Sequence, residues 1–548
     1  MNVNLLLITL IIFSCIFFNK ISFRFGIPTL FVFILLGMAF GSDGFARISF
    51  DNFALSETVC SVALIYIMFY GGFGTNWKMA RPVARQSILL STAGVFLTAL
   101  FLGLFLYLLI RREFWLCFLT GSALASTDAA SVFSVLRSRK LDLKENTASI
   151  LELESGSNDP MAYMLTLVCL SFLTGEADAG SILRLLTTQI VFGIAIGALC
   201  GLLSYRILKS VSFEVDGFDV IFIAGIALFS YALSAALGGN GYLSTYLTGI
   251  ILGNVKMGGK KNIVHFFDGL TGLMQIAVFF LLGLLATPSL LPGVLMSAVS
   301  VFLFLTLIAR PLAVKLLLLP FCASKGQSRL ISFAGLRGAS SIVFAIMAVQ
   351  TLKSDTRFFH IIFFVVLLSL LVQGSLLPFV ARRFDMIDLS NDVMKTFTDY
   401  SEELPVQFIQ LTLAEDTEWV GKRISELSLP LQFLFLLIVR ENKKLVPKGT
   451  TLLEAGDSLI LCAPAVQTKN AMQLSEIEID KSSEYLHCHI RDINLPRGEI
   501  IFLIQRGNQS IIPNGQTEIL EGDTLMLTRL KEKERSPHSP SRVLTSGQ

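Results

Sequence analysis

Glu152, Glu154 and Asp159 stand within residues 149–173, SILELESGSNDPMAYMLTLVCLSFL, a run otherwise apolar enough to cross a bilayer as a helix. Each charge at the centre of such a helix costs roughly 2.5–3.5 kcal/mol on insertion scales. Carboxylates kept at that cost usually serve an ion or proton path. The alternative, a helix packed wholly against protein, requires a partner for every charge. Ser155 and Asp159 are four apart and share a helical face, as do Glu154 and Asn158. Pro160 has no N–H, which leaves the Gly156 carbonyl without its helical donor. A carboxylate, an amide oxygen, a hydroxyl and a freed carbonyl within about one turn make a set of hard oxygen ligands suited to a desolvated alkali cation. Burial favours the neutral form of a carboxylic acid, so Asp159 could trade a proton for a cation.

Two other apolar segments are interrupted in ways that could complete such a site. GSALASTDAASVFSVL (121–136) carries Ser126, Thr127 and Asp128, a composition suited to a locally unwound helix. Opened carbonyls there can bind a cation, and Asp128 can face the positive end of a half-helix. A small-residue packing face is the competing reading of the segment. ISFAGLRGASSIVFAIM (331–347) is broken by Gly335, Arg337 and Gly338. An intramembrane Arg requires a carboxylate, and Glu154 is the expected partner of Arg337. Arg310-Pro311 marks a further polar break without an assigned role. His265 and His360 fall at the edges of apolar runs, where interfacial packing and pH sensing are both open. His487-Cys488-His489 could suggest a metal site, but neighbours on a strand face opposite sides, which favours surface sequence.

The elements that must position these residues are membrane helices. The chain has 548 residues, 53% hydrophobic and only 16% charged, with a mean hydropathy of +0.68; soluble domains carry about 25% charged residues. A net charge of +3 without a basic, aromatic-interleaved patch gives no sign of nucleic acid. The eight cysteines, mostly inside apolar runs and without CxxC spacing, read as small buried hydrophobes. The first apolar run follows no basic n-region and no clear cleavage site, and reads as a retained helix. Runs able to cross, some as broken helices, fall near 4–22, 28–41, 57–74, 86–110, 113–136, 147–173 and 181–208. The others are near 218–237, 242–254, 264–286, 290–319, 328–351 and 359–381, making thirteen. Alternate loops hold nineteen basic residues on one side against six on the other, which places the N-terminus outside and the C-terminus inside. The broken segments are the fifth and twelfth runs, so spans 1–6 and 8–13 would correspond as inverted repeats.

Past residue 384 the apolar runs shorten to strand length and charges become frequent. Residues 385–404 read as a linker. SLPLQFLFLLIVRENKKLVPKGTTLLEAGDSLIL (428–461) is then repeated, 66 residues on, by NLPRGEIIFLIQRGNQSIIPNGQTEILEGDTLMLT (494–528). Arg440/Arg506, Asn442/Asn508, Pro447/Pro513, Gly449/Gly515 and Gly456-Asp457/Gly522-Asp523 coincide. Matched turn residues predict a duplicated small domain of strands and short helices, at 405–465 and 481–530 with a linker at 466–480. The polar tail 531–548 is expected to be disordered.

The strings STDAASVFSVL, ELESGSNDP and GLRGASSIVFA resemble those of NhaP-type cation/proton antiporters, and more narrowly the potassium/proton branch with cytosolic regulatory tails. The resemblance covers about residues 1–384. It implies an inverted-repeat antiporter fold, usually a homodimer, in the plasma membrane. It also implies electroneutral exchange, associated with Asn-Asp where electrogenic relatives have Asp-Asp. Carried over, Asp159 is the shared proton and cation site, with Ser155, Asn158 and the Thr127 carbonyl helping to form it. Asp128 steadies the unwound helix, and Glu154 and Arg337 form a structural ion pair. One departure is Tyr70 before Gly71-Gly72, where many relatives place an acid. The repeats resemble the TrkA-C module (the C-terminal module of regulators of potassium conductance), which implies pairing and binding of small regulators such as cyclic di-AMP. No GxGxxG fingerprint precedes them.

The expected protein is therefore an α-helical polytopic antiporter with small α+β cytosolic domains, exchanging potassium, or sodium, for protons. It is not an enzyme, since no nucleophile–base or metal-ligand constellation is present. A tail-gated potassium channel is the rival of another class, and TVGYG-like filter loops are absent from the sequence.

Overall fold

The computed structural model describes residues 2–388 apart from 26–27, 112, 140, 176–177, 211–216, 256, 258–259 and 354–356. Within 406–530 it describes all but 415–416, 418, 428–433, 441–442, 465–471, 480–482, 484, 494, 496–498, 507–508 and 512. The chain divides into two compact units, Met1–Ser401 and Glu402–Gln548. The expected linker from residue 389 onward and the tail 531–548 lie outside the described residues.

The first unit is helical because its apolar runs leave the backbone no partner but itself in lipid. Among the described residues, seven helices are long and apolar enough to cross a membrane, or eight if the bent pair Phe114–Ala125 and Ala130–Leu136 counts as one span. Shorter apolar helices cover Thr9–Lys20, Thr29–Phe40 and Ala339–Leu352. Two chain segments are broken in mid-course. Phe114–Ala125 gives way at Ser126–Asp128 to Ala129–Ser138, and Lys325–Phe333 gives way at 334–338 to Ala339–Leu352. Between them runs Thr147–Leu173, which continues through Pro160. The Asn240 Nδ2 donates to the Pro160 carbonyl at 2.9 Å, tying this helix to the cap of Gly241–Asn254.

Among the described residues, three long helices contain a π-helical turn, at Leu90–Gly94, Leu305–Ala309 and Ser369–Gln373. Such turns shift the angular register of the side chains that follow and concentrate at functional sites. Here the second delivers Arg310 to the interior, and the third holds Ser369 and Gln373 beside the 334–338 break. Elsewhere glycine sets the spacing. A Cβ at Gly72 would lie 2.2 Å from the Tyr246 carbonyl oxygen, so Phe53–Gly74 and Gly241–Asn254 cross with backbones nearly touching.

The second unit holds two four-stranded antiparallel sheets with one topology. The first orders Val406–Thr412, Ser458–Pro464, Leu434–Arg440 and Lys443–Leu445. The second orders Met472–Glu478, Asp523–Leu530, Glu499–Arg506 and Gln509–Ile511. Leu413, Phe435, Ile438 and Leu459 form the first core, and Ile479, Ile504, Ile519 and Leu525 its counterpart. Two boundaries need correction. The expected 466–480 linker contains the strand Met472–Glu478, so the second module starts there and not at 481. MQLSEIE is too polar to announce itself, and only pairing with Asp523–Leu530, some 50 residues on, makes it a strand. The expected 385–404 linker likewise opens with Ile387–Asp388, paired to Asp142–Leu143.

Candidate functional site

Asp159 is buried, with 7% of its surface exposed, on the Thr147–Leu173 helix. Ser126, in the first break, donates its hydroxyl to Asp159 Oδ1, and the Ser126 Oγ lies 2.8 Å from the Ser340 Oγ at the start of Ala339–Leu352. One carboxylate thus gathers the unwound ends of both interrupted segments. The Ser155 hydroxyl donates to the Thr127 carbonyl at 2.8 Å, and the Asn158 Nδ2 donates to the Thr127 Oγ1 at 2.6 Å. The Asn158 Oδ1 is buried without a hydrogen-bond partner. Thr127, Ser155, Gly156, Asp159 and Ser340 line a cavity of about 190 Å³, with Asp128 and Glu152 also on its wall.

Asp128 works on the backbone. Its Oδ1 accepts from the Ala130 N–H at 2.9 Å, which caps the half-helix Ala129–Ser138 and answers that end's dipole. Its own N–H donates to the Leu336 carbonyl at 2.8 Å, joining one break to the other. A Cβ at Gly338 would fall 2.5 Å from the Asp128 Cβ, so the close approach of the two breaks needs glycine there.

The ion-pair expectation is corrected. Glu154 pairs with Arg310, both buried at 1% and 2% side-chain exposure, and not with Arg337. Arg337 instead donates from Nη1 to the carbonyls of Ala125 and Ser126, at 2.8 and 2.9 Å. Those carbonyls end the Phe114–Ala125 helix and have no intrahelical donor, so a guanidinium satisfies both their hydrogen bonding and the negative end of the dipole. The Arg337 N–H is taken up by the Ser369 Oγ at 3.0 Å, from the π turn. Arg310 passes the second break, where a Cβ at Gly335 would lie 3.0 Å from its Nε.

Ser155, Asn158, Asp159, Thr127 and Asp128 are thus brought together, while Glu154 and Arg337 act on separate partners. Sequence reasoning missed Ser340 and the role of Arg310, and saw Ser126 only as part of a break. The signals were present, in the Ser pair of GLRGASS and in an Arg-Pro inside an apolar run. Tyr70 donates its hydroxyl to Asp268 and stacks on Phe267, with ring centroids 6.0 Å apart. Of the cysteines expected to be buried, Cys15, Cys60, Cys117, Cys169 and Cys200 are, while Cys322 is exposed because it ends a helix in a left-handed turn.

In the tail the duplicated residues meet each other. Arg440 binds Asp457 through Nε at 2.7 Å and Nη2 at 2.8 Å, and Arg506 binds Asp523 through the same atoms at 2.8 Å each. Arg440 Nη2 also donates to the Leu452 carbonyl and Arg506 Nη2 to that of Glu518, both at 2.8 Å.

The model of the family described as "Sodium/hydrogen exchanger, transmembrane" matches residues 7–383. The chain belongs to that family. A second family model, the TrkA-C domain, matches residues 408–472 and 474–528, which agrees with the two sheets. Among relatives, the K(+)/H(+) antiporter NhaP2 of Shewanella sp. (strain MR-4) is 35% identical over 466 residues, covering 84% of this chain and 80% of that protein. The K(+)/H(+) antiporter NhaP of Alkalimonas amylolytica is 32% identical over 470 residues, covering 85% and 82%. Among solved structures, the sodium proton antiporter MjNhaP1 from Methanocaldococcus jannaschii aligns with a TM-score of 0.61 at 23% identity, covering 69% of this chain and 97% of that one. That likeness shows the fold of the membrane unit as a helical antiporter fold.

Proposed function

We propose that this protein exports potassium in exchange for protons across the plasma membrane, electroneutrally, under control of its tail. The observation that carries the reading is Asp159, a buried carboxylate on a cavity wall, held by Ser126 and Ser340 from two broken helices. Protonated Asp159 would occupy one face of the cycle. The ionised form would hold a dehydrated cation with the oxygens of Ser155, Thr127 and Asn158, so proton and cation compete for one group. With Asn158 beside it, one charge enters as one leaves. Alternating access would follow from movement of one helical bundle against another around this site.

The names of the K(+)/H(+) relatives support potassium as cargo, and sodium is the competing cargo at the same site. The order of apolar segments supports thirteen crossings, with corresponding halves, the N-terminus outside and the tail inside. A homodimer follows the family pattern, and the TrkA-C modules suit a small regulator such as cyclic di-AMP whose differential affinity for two states would bias transport.

Everted membrane vesicles test the reading. Potassium-dependent proton movement in wild type, abolished in Asp159→Asn, is the expected result. Flux with sodium alone would change the cargo and keep the site. Full exchange by Asp159→Asn would refute the site, and cation flux without proton coupling would make the protein a channel.

A further inference from the structure

Three helix faces that line the exchange cavity continue beyond it. On Thr147–Leu173, Ser155 and Asp159 border the cavity, and Tyr163 follows Asp159 by one turn at i+4. On Ala339–Leu352, Ser340 borders the cavity and Phe344 follows by the same interval. On Phe53–Gly74, Leu64, Met68 and Gly71 border it, and Ser61 and Glu57 extend that face one and two turns back from Leu64. Where the cavity stops, a layer of rings begins. The ring centroids of Tyr163 and Tyr242 are 5.1 Å apart, those of Tyr163 and Phe344 6.0 Å, and those of Tyr242 and Phe344 6.5 Å. Tyr242 is 2% exposed and Phe344 fully buried, and none of the three rings borders the cavity. Gly71, at the cavity's other end, is exposed. Asp159 is therefore open toward Gly71 and shut off by rings one turn further along its own helix.

Beyond the rings the polar groups resume. Tyr242 interacts with Ser61, and its ring lies 5.0 Å from that of Tyr231. Glu57 interacts electrostatically with both Tyr163 and Tyr231. It is half-buried, and among the described residues it makes no hydrogen bond or ion pair. A carboxylate held in an apolar span without a partner is a functional feature by default. We infer that Tyr163, Tyr242 and Phe344 are a closed gate on a second route to Asp159, with Glu57 as the cation-attracting carboxylate at its mouth. The inference rests on the exchange reading given above, and in the orientation given there this route leads to the outer face. Packed rings offer a cation no oxygen to replace its water, so the layer blocks passage by being dry. Glu57 stands seven residues, roughly 10 Å of helix, from Leu64 at the cavity. A unit charge at about that distance changes a cation's occupancy by a factor of about two even in bulk water, and by more where the walls are apolar.

Two measurements on the full-length protein test the route. The first compares rubidium uptake with proton movement in vesicles. Wild type is expected to move the two together, whereas Phe344→Ala opens the rings onto the existing cavity and loses coupling, with rubidium uptake that no proton movement matches. Should Phe344→Ala fail to accumulate, Tyr163→Ala, at a half-buried position, carries the same expectation. Tyr163→Phe and Tyr242→Phe keep the rings and are expected to stay coupled. The second measures half-saturating potassium from each side. Glu57→Gln is expected to raise it by about two-fold or more in right-side-out vesicles at low ionic strength and to leave everted vesicles unchanged. Full coupling in both alanine variants, uncoupling by the Tyr→Phe variants, or a Glu57→Gln effect that is absent or equal from both sides overturns the inference. Wild type without potassium-driven proton movement would instead sink the exchange reading, so the two failures are distinct.

Discussion

Replacing Glu154 by Gln would leave two guanidinium groups in the core without a carboxylate. Arg310 is 2% exposed and pairs directly with Glu154, and Arg337, 1% exposed, interacts electrostatically with both. Breaking a buried pair from one side costs about 3–5 kcal/mol. Glu154→Gln should fall at the upper end, because Arg310 and Arg337 then repel each other unscreened. Arg310→Met should fall at the lower end, since Glu154 still has the positive field of Arg337. At about 1.4 kcal/mol per decade, 3–5 kcal/mol is a loss of roughly 10²–10⁴ in the folded-to-unfolded ratio. The double variant Glu154→Gln/Arg310→Met removes the pair together, and it should recover most of the loss because Arg310 no longer stands unpaired against Arg337, which keeps the Ala125 and Ser126 carbonyls. Glu154→Gln/Arg337→Met should recover little, as it uncaps the Ala125 and Ser126 carbonyls. The assay is a double-mutant cycle on unfolding midpoints of the purified protein in detergent. Recovery by Arg337→Met and not by Arg310→Met would refute the reasoning and restore the pairing expected from sequence.

Four further outcomes are expected. Asn158→Asp puts a second carboxylate at a fully buried position and removes the donor to the Thr127 Oγ1, so exchange should become sensitive to an imposed potassium–valinomycin potential, measured with a voltage-reporting dye. Gly338→Ala should abolish exchange because its Cβ would strike Asp128, whereas Gly71→Ala, opening on empty space, should leave exchange near wild type in the vesicle assay. In the tail, Arg440→Met and Arg506→Met should each destabilise their own module by about 1.5–3 kcal/mol, read as faster amide exchange across 452–457 or 518–523. Burial pushes the Asp457 carboxyl up, but the hydrogen bond from Arg440, the Glu454 N–H and the Arg440 charge together hold it below the usual range. At Asp523 the Arg506 hydrogen bond is the leading cause of the same lowering. A lowered folded-state value means the stabilisation is complete above the ordinary carboxylate range near pH 4 and is lost as pH falls through the folded value. Protection of both modules should therefore hold from pH 7 to about 5 and collapse in stronger acid, measured as amide exchange corrected for its intrinsic pH dependence.

The sequence by itself determined what is local and what is repeated. Helices of the membrane unit are legible because lipid forces every backbone group to bond within its own segment, so apolar length alone marks them. The breaks at 126–128 and 334–338 show as Ser-Thr-Asp and Gly-Leu-Arg-Gly, which interrupt runs that are otherwise mostly apolar. The 66-residue offset, carried by Arg440/Arg506 and Asp457/Asp523, announces two like modules. Tertiary structure alone decided who meets whom. Glu154 takes Arg310 because a π turn aims that residue inward, while Arg337 is claimed by two carbonyls that become acceptors only once a helix has ended. Ser340 reaches the Ser126–Asp159 pair across more than 200 residues, a contact no local spacing encodes. The strand Met472–Glu478 exists because its partner does. Charges and turns are properties of residues, and partners are properties of the fold that brings them together.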